Sequence, residues 1–565
     1  MLSAVTFKDL HIWNTDDAAL AIAESLGCSS VVATLMRMRG VENDAEARDF
    51  LRPGLVDMGD AFFLGERVPS GEDFLRCLGE NSRVVVYGDY DVDGVTATAL
   101  AVELCLARGA SVRYFIPDRH RQGYGLHEDM VRRIARAGCD LLVVVDCGTK
   151  SREAKEVAQE AGIPVFVFDH HLPDEGGMEE DHWGYLVNPH VSGGNAAARK
   201  LSAAGVLWVW ILQNHLASPS WLAERLDLVA LSTIADCMEL GVPNRTLVHE
   251  GLQVLGRSLR PGVQILKESL GLNERFVTEE DVAMRIAPCI NAAGRLDLAE
   301  IAVKVLLSEE GYPEWVDRLV SLNRQRQSLS SRIFEEILPP LREGKRVFLN
   351  SEWPAGVLSG VASRVCSRFS CPVVLGAPVG GGIRGTVRFP AGGNAVEFLK
   401  NRASRLIAWG GHPYAAGFSA SPDLWTGLAE EMETDLRSFV PEQEKIHACA
   451  SPPAIFSPAL WNQMTRLGPF GNGNPYPLLF CEQEPRISKR RFGAEGKHLA
   501  FIHGDVEIIA WNGTAFFERH GFPLGVVYRP RLNLWKGRSR VQLILEYAVY
   551  EHPVIEGEDL LESPS

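Results

Sequence analysis

From residue 83 onward, short apolar and β-branched runs alternate with stretches whose apolar positions recur every three or four residues. The runs cover 83–87, 111–116, 140–145 and 164–168, and the intervening stretches predict helices at about 96–108, 127–137 and 151–161. Apolar strands of four to six residues joined by helices read as βαβ units in a parallel sheet buried on both faces. The pattern predicts a doubly wound α/β domain at 79–310, preceded by a leader segment at 1–78. A mostly helical stretch follows from residue 196, and its end, 314–338, has the apolar spacing of a long amphipathic helix, giving a connecting helix at 311–342. Strands at 346–349 and 372–375, with helical patterns at 395–404 and 423–439, predict a second, smaller α/β domain at 343–440. Short alternating strands beyond a Pro-bearing boundary predict a small C-terminal β-barrel at 455–552, with a disordered tail at 553–565.

Composition narrows the class of molecule. With 46% hydrophobic and 23% charged residues over 565 positions, the chain fits folded globular protein and excludes collagen, coiled coil and bulk disorder. Its longest uncharged apolar run, 201–212, falls short of the roughly 20 residues a bilayer span needs, and the first twenty residues lack an apolar signal core, so a cytoplasmic location and no membrane partner are expected. Eleven scattered cysteines without a C-x-x-C pair predict reduced thiols and no zinc site. The net charge of -15 argues against a general polyanion binder, but between residues 485 and 540 eleven Lys or Arg stand against four acids. That reversal, interleaved with Phe492, Trp511, Phe516, Phe517, Tyr528 and Trp535, suits a module tracking a single strand, although a solvated face of a β domain has the same composition.

The chemistry concentrates where strands end. Strand 83–87 runs into Gly88-Asp-Tyr-Asp-Val-Asp-Gly94, and three carboxylates at alternate positions would repel one another unless cations lie between them. The next strands finish in Asp146-Cys147-Gly148 and Asp169-His170-His171, and the apolar segment 228–235 delivers Asp236. These ends are expected on one rim of the sheet, where open α/β sheets bind ligands. Carboxylates with imidazole favour Mn²⁺ or Mg²⁺ over zinc, and a pair of such ions clamps an in-line displacement at phosphorus.

These motifs resemble the DHH phosphoesterase family, and within it the RecJ branch of single-stranded-DNA-specific exonucleases. The resemblance extends through Arg119-His-Arg-Gln-Gly-Tyr-Gly125, Ile290-Asn-Ala-Ala-Gly-Arg295, Trp409-Gly-Gly-His-Pro-Tyr-Ala-Ala-Gly-Phe418 and Gly468-Pro-Phe-Gly-Asn-Gly-Asn-Pro475, the last similar to the opening of that branch's OB-fold. It implies a DHH domain, a DHH-associated second domain and a C-terminal OB-fold barrel. It implies that Asp89, Asp91, Asp93, Asp146, His170 and Asp236 hold two divalent cations, Mn²⁺ or Mg²⁺, with Asp146 between them. Asp169 is then expected to orient the metal-bound imidazole. His171 is expected over the scissile phosphate, to hydrogen-bond a developing negative oxygen or pass a proton, or else to be a packed ring. Arg119, Asn291, Arg295, Thr386, Arg388, Gly410, Gly411 and His412 are the implied substrate contacts, with Tyr124 either a stacking platform for a base or a turn aromatic on the sheet. Two departures stand out. The family usually has Arg where this chain has Cys289, and its second-domain loop, Gly-Ser-Gly-Arg-Ser, reads Gly385-Thr-Val-Arg-Phe389 here. The implied activity is 5′ to 3′ hydrolysis of single-stranded DNA to mononucleotides in repair and recombination, by a monomer partnered with a single-strand-binding protein and a RecQ-type helicase. The alternatives are a phosphodiesterase of short oligonucleotides or cyclic dinucleotides, and a non-catalytic DNA-binding scaffold.

Overall fold

The structure is a computed structural model that describes residues 2–51, 54, 58–79, 81–119, 122–173, 184–257, 260–272, 276–442, 445–482, 488–503, 506–535 and 538–552. The tail at 553–565, and Arg486 and Lys536 of the basic stretch, lie outside the described residues. The chain divides into two compact units, Gly54–Glu442 and a second made of Met1–Pro53 with Gln443–Ser565.

The first unit is built on a five-stranded parallel sheet. Its strands lie in the order Ser111–Phe115, Arg83–Tyr87, Leu141–Val145, Val165–Phe168, Tyr185–Val187. Leu141–Val145 and Val165–Phe168 are buried at every position, which is why they read as continuous apolar runs. The connection leaves Arg83–Tyr87 toward one edge and returns to Leu141–Val145 on the other side, so the order reverses between these two strands. A crevice opens outside their carboxyl ends at such a switch point. Asp89 follows one of the two strands and Asp146 the other.

The helix after the first strand begins earlier than its apolar spacing indicates. It spans Val92–Ala107, with Asp91 as N-cap accepting from the Gly94 amide at 3.1 Å. The acidic motif is therefore not a single loop, because Asp93 sits in the first helical turn, where its negative charge faces the positive end of the helix dipole. Gly94 is required here: a Cβ would fall 2.5 Å from the carbonyl oxygen of Asp89.

The helix Pro313–Arg342 leads to a five-stranded sheet ordered Leu406–His412, Ala415–Ala420, Gly382–Arg388, Val373–Val379, Val347–Leu349. Only the last pair is parallel. Helix Ala355–Phe369 joins one apolar cluster and Pro422–Ser438 another. The segment 385–389, read as a loop, is instead largely strand: Gly382–Arg388 pairs on both sides, and the glycines that suggested a loop let it pack, since a Cβ on Gly385 would strike the Phe418 ring.

In the second unit, strands between Ile446 and Tyr550 form one sheet with two strands from the start of the chain. Leu10–Trp13 runs parallel to Ile446–Ala450, and Ser3–Thr6 parallel to the end of Arg538–Tyr550. Helices Asp17–Leu26, Ser30–Arg37 and Asp44–Leu51 bury Ile22, Val31, Leu35 and Phe50 in the same core as Met464, Phe501, Phe517 and Tyr528. The predicted leader at 1–78 thus splits, its first fifty residues completing the C-terminal unit and the remainder joining the first. Among the described residues all eleven cysteines are free, and no helix is long and apolar enough to cross a membrane.

Candidate metal and phosphate site

The expected carboxylates and imidazoles converge outside the switch point. Three groups overlap: Asp89, Asp91 and Asp146 offer ligand atoms within 4.8 Å of one another, as do Asp146, His170 and His171, which share Asp146 with the first, and Asp93, His170 and Asp236, which share His170 with the second. His170 Nε2 lies 3.4 Å from Asp146 Oδ1 and 3.6 Å from Oδ2 of both Asp93 and Asp236. These separations are long for hydrogen bonds, and they suit donors that each lie about 2.0 to 2.2 Å from a shared cation. Asp89 Oδ1 and Asp146 Oδ1 are buried with no hydrogen-bond partner among the described residues. Unmatched buried carboxylate oxygens are costly, so the set fits cations that complete it.

Asp146 takes a left-handed backbone, φ 61°, immediately after its strand, with its amide on the Phe168 carbonyl at 2.9 Å. Asp tolerates this conformation better than most residues. Asp93 is clamped more fully. The backbone amides of Ala203 and Ala204, at the start of helix Ala203–Gln213, donate to its two oxygens at 2.7 and 3.0 Å, and the Ser232 hydroxyl donates at 2.6 Å. Ser232 and Asp236 both come from helix Leu226–Ala235 and its C-cap, and Ser232 is a contact that sequence reasoning missed. Its signal was a small hydroxyl inside an otherwise apolar run.

Burial and mutual repulsion raise the carboxyl pKa values. Burial, then Asp91, pushes Asp89 well above the usual range; burial, then Asp93 and Asp91, does the same for Asp146. Asp236 is pushed up to about 8 by burial and then by Asp93 and Asp91. Burial lowers His170, which favours the neutral imidazole a metal needs.

Asp169 serves a different histidine from the one expected. Its Oδ1 lies 2.8 Å from Nδ1 of His171 and accepts from the backbone amides of His170 and His171, while Oδ2 accepts from the Thr149 amide at 3.0 Å. His170 Nε2 faces the carboxylates of Asp93, Asp146 and Asp236 instead. Burial opposes a charge on His171, but the Asp169 hydrogen bond and charge outweigh it and raise the imidazole to about 9. Tyr124 is 43% exposed: its hydroxyl lies 3.0 Å from His171 Nδ1 and donates to the Asp146 carbonyl at 3.2 Å, and its ring contacts the His171 ring at 5.2 Å. Buried Asn188, absent from the sequence reading, donates to Thr149 Oγ1 and to the His171 carbonyl, both at 2.9 Å.

Cations line the neighbouring surface. Arg119 lies over the Tyr90 ring at 4.9 Å. Arg295 donates to the Gly356 carbonyl and to Ser359 Oγ, at 3.0 and 2.7 Å. Arg388 donates to Ser363 Oγ at 3.0 Å and to Thr386 Oγ1 at 2.8 Å, and buried Thr386 in turn donates to the Ala416 carbonyl. The hydroxyl of Thr386 thus fixes Arg388 instead of standing open to a ligand. Asn291 is half-buried on helix Ala287–Leu296, which also carries Arg295. Gly410, Gly411 and His412 are exposed at the end of edge strand Leu406–His412, and His412 feels the charges of His171 and His170, which places it toward the carboxylates.

In the second unit, Trp511 is 45% exposed and meets His498 at 4.8 Å and Phe492 at 5.8 Å, while Phe517 and Tyr528 are core. Three of the cations there are paired: Arg490 with Glu507 and Arg491 with Glu518, both acids of the same stretch, and Arg529 with Glu546 beyond it, which lowers the local surplus by one. The side chain of Trp535 lies outside the described residues.

Comparison with known proteins follows the same lines. Residues 83–241 match the DHH family N-terminal domain, and 449–547 match the RecJ OB domain. The single-stranded-DNA-specific exonuclease RecJ of Bacillus subtilis is 30% identical over 553 residues, 94% of this chain and 69% of that protein. The Thermus thermophilus protein of the same name is 37% identical over 444 residues, 77% of this chain and 64% of that one. The crystal structure of RecJ from Thermus thermophilus in complex with Mn²⁺ superimposes with a TM-score of 0.78 at 29% identity, covering 96% of this chain and 79% of the other. With a DHH domain whose strand ends gather the acidic motifs and a RecJ OB domain beyond it, the chain belongs to the RecJ family.

Proposed function

We propose that this protein is a metal-dependent, single-stranded-DNA-specific exonuclease that hydrolyses phosphodiester bonds from the 5′ end. The observation carrying this reading is the gathering of Asp89, Asp91, Asp93, Asp146, His170 and Asp236 into overlapping ligand groups, with unmatched oxygens on Asp89 and Asp146, beside Arg119, Arg295 and Arg388. Asp89, Asp91 and Asp146 would hold one divalent cation, and Asp93, His170 and Asp236 with Asp146 the other. When bound, Mn²⁺ or Mg²⁺ supplies Lewis-acid stabilisation of charge at phosphorus and lowers the pKa of water.

The chain's own groups supply the rest. With Nδ1 tied to Asp169, His171 keeps Nε2 for substrate, and the Asp169 carboxylate favours a proton on that imidazole. It donates to a non-bridging oxygen as negative charge grows there, or hands its proton to the leaving oxygen. Arg119 and Arg295 grip backbone phosphate, Arg by its bidentate fork. Arg388, oriented by Thr386, takes the terminal 5′-phosphate, and Gly410, Gly411, His412 and Asn291 are further strand contacts in this reading. Trp511 with Phe492 and His498 offers stacking surface for bases farther along the strand. The same reading carries a single-strand-binding protein and a RecQ-type helicase as partners, a monomeric state, a cytoplasmic setting, and a role in repair and recombination.

The test is Mn²⁺-dependent release of nucleotides from 5′-labelled single strands, set beside 3′-labelled strands, duplex and a dinucleotide. Early release of the 5′ label from single strands alone is expected. Cleavage confined to the dinucleotide overturns the reading in favour of a short-substrate phosphodiesterase.

A further inference from the structure

The long helix Pro313–Arg342 joins the two sheets of the first unit, and one of its side chains reaches toward the arginines. Nε and Nη2 of half-buried Arg326 both donate to Oδ1 of Asn323, at 3.0 and 2.9 Å. Asn323 is buried, and its Nδ2 donates to Sγ of Cys289 at 3.3 Å. An amide whose oxygen serves a guanidinium and whose nitrogen serves a thiol has one orientation, so the Arg326 head is set against helix Ala287–Leu296, which carries Arg295 in its last turn.

The other guanidinium groups arrive at the same place by separate routes. Arg295 and Arg388 bond Ser359 and Ser363, which lie one turn apart on helix Ala355–Phe369 and therefore side by side. Arg119 stands over Tyr90, whose carbonyl oxygen abuts Gly294, the residue before Arg295. The partners of Arg326 and Arg388 are neutral oxygens. After burial, the charges of Arg119, Arg326 and Arg388 are what depress the basicity of Arg295, to about 9. Like charges gathered this way repel one another, and a phosphate among them reverses the sign.

We propose that Arg326 is a fourth guanidinium of the phosphate cradle formed with Arg119, Arg295 and Arg388, and that it binds a backbone phosphate of the single strand. The proposal rests on the exonuclease reading and deepens it, because it assigns a strand contact to the connecting helix.

The experiment compares wild type with Arg326→Gln and Arg326→Lys. Affinity for 5′-phosphorylated oligothymidylate is measured by fluorescence anisotropy across a salt series with metal withheld. Arg326→Gln is expected to weaken binding about 10- to 100-fold and to make log affinity against log salt shallower by about 0.7, the share of one phosphate contact on a single strand. Arg326→Lys keeps the wild-type slope with part of the affinity. If Arg326→Gln melts below wild type, Asn323→Ala carries the test: it keeps the charge but frees it, and weaker binding at unchanged slope is expected. A wild-type slope and affinity in Arg326→Gln, or equal losses in both Arg326 variants at the wild-type slope, overturns the proposal. Wild-type protein that releases nothing from single strands overturns the exonuclease reading instead, which separates the two failures.

Discussion

A Cβ placed on Gly294 would lie 2.4 Å from the carbonyl oxygen of Tyr90, so the helix bearing Arg295 touches the acidic loop through bare backbone. Gly294→Ala must push the two apart, because the nearest contact is backbone and not the end of a flexible side chain. We expect a loss of about 1 to 3 kcal/mol in stability, read by thermal melting, and a drop in turnover that added Mn²⁺ does not restore. Unchanged turnover would show that this contact does not set the site.

Asp146 has an unmatched buried oxygen among other carboxylates, so Asp146→Asn relieves repulsion while removing the shared ligand. The metal-free variant is expected to melt at or above the wild-type temperature, cleavage is expected to vanish, and the stabilisation by Mn²⁺ to shrink. Saturating ligand at a hundred times Kd contributes about 2.7 kcal/mol to wild type, enough to see in a melt. A full Mn²⁺-induced shift in the variant would remove Asp146 from the metal site.

The raised carboxyl pKa values give a pH dependence with a definite sign. A carboxyl pushed up to about 8 by burial and neighbouring carboxylates, as at Asp236, binds more protons in the folded state than in the unfolded one, where the ordinary value is ~4. The metal-free protein should therefore lose stability as pH rises from about 4 towards 8. Cation binding must displace those protons, so Mn²⁺ affinity should rise over the same window, with proton release visible by calorimetry in buffers of different ionisation enthalpy. Affinity independent of pH across the upper half of that window would contradict it.

Tyr124→Phe removes a hydroxyl that contacts His171 Nδ1 and the Asp146 carbonyl but leaves an aromatic ring. If the residue buttresses His171, kcat should fall about 3- to 10-fold, the effect of one hydrogen bond, with KM nearly unchanged. A base-stacking platform predicts no change in either constant, since Phe stacks as well as Tyr.

Trp511→Ala is expected to weaken binding of long single strands by about 1 to 3 kcal/mol while leaving dinucleotide hydrolysis alone. Phe517→Ala, in the core of the same unit, should instead lower the melting temperature. Loss of dinucleotide hydrolysis in the Trp511 variant would count against a role confined to strand holding.

Much of the site was legible because each ligand follows a strand or segment whose apolar run is unmistakable, as Asp146 follows Leu141–Val145. The parallel sheet follows from the same runs. Less legible was what each polar group touches. Asp169 pairs with His171 and not His170, and two adjacent histidines give no sequence signal for which one turns back. The strand through Thr386 looks like a loop in the sequence because its glycines serve packing against Phe418, a contact between strands that a local pattern does not contain. Cys289 reads there only as a missing cation, whereas the structure uses its thiol to orient Asn323 from a helix 34 residues away.

The pairing of Leu10–Trp13 with Ile446–Ala450 has a consequence for how the molecule is made on the ribosome. At about 5 to 20 residues per second, the first strands emerge roughly 20 to 90 s before their partners are synthesised. Throughout that interval they expose unpaired edges and the apolar faces of Ile22, Val31 and Leu35, while the intervening unit Gly54–Glu442 completes its own core. The nascent chain thus carries a sticky leading end that only the last hundred or so residues can cover. Premature termination anywhere before residue 446 leaves it open to chaperones and to other nascent chains, and a fragment meant to isolate the C-terminal unit must carry both of its distant pieces.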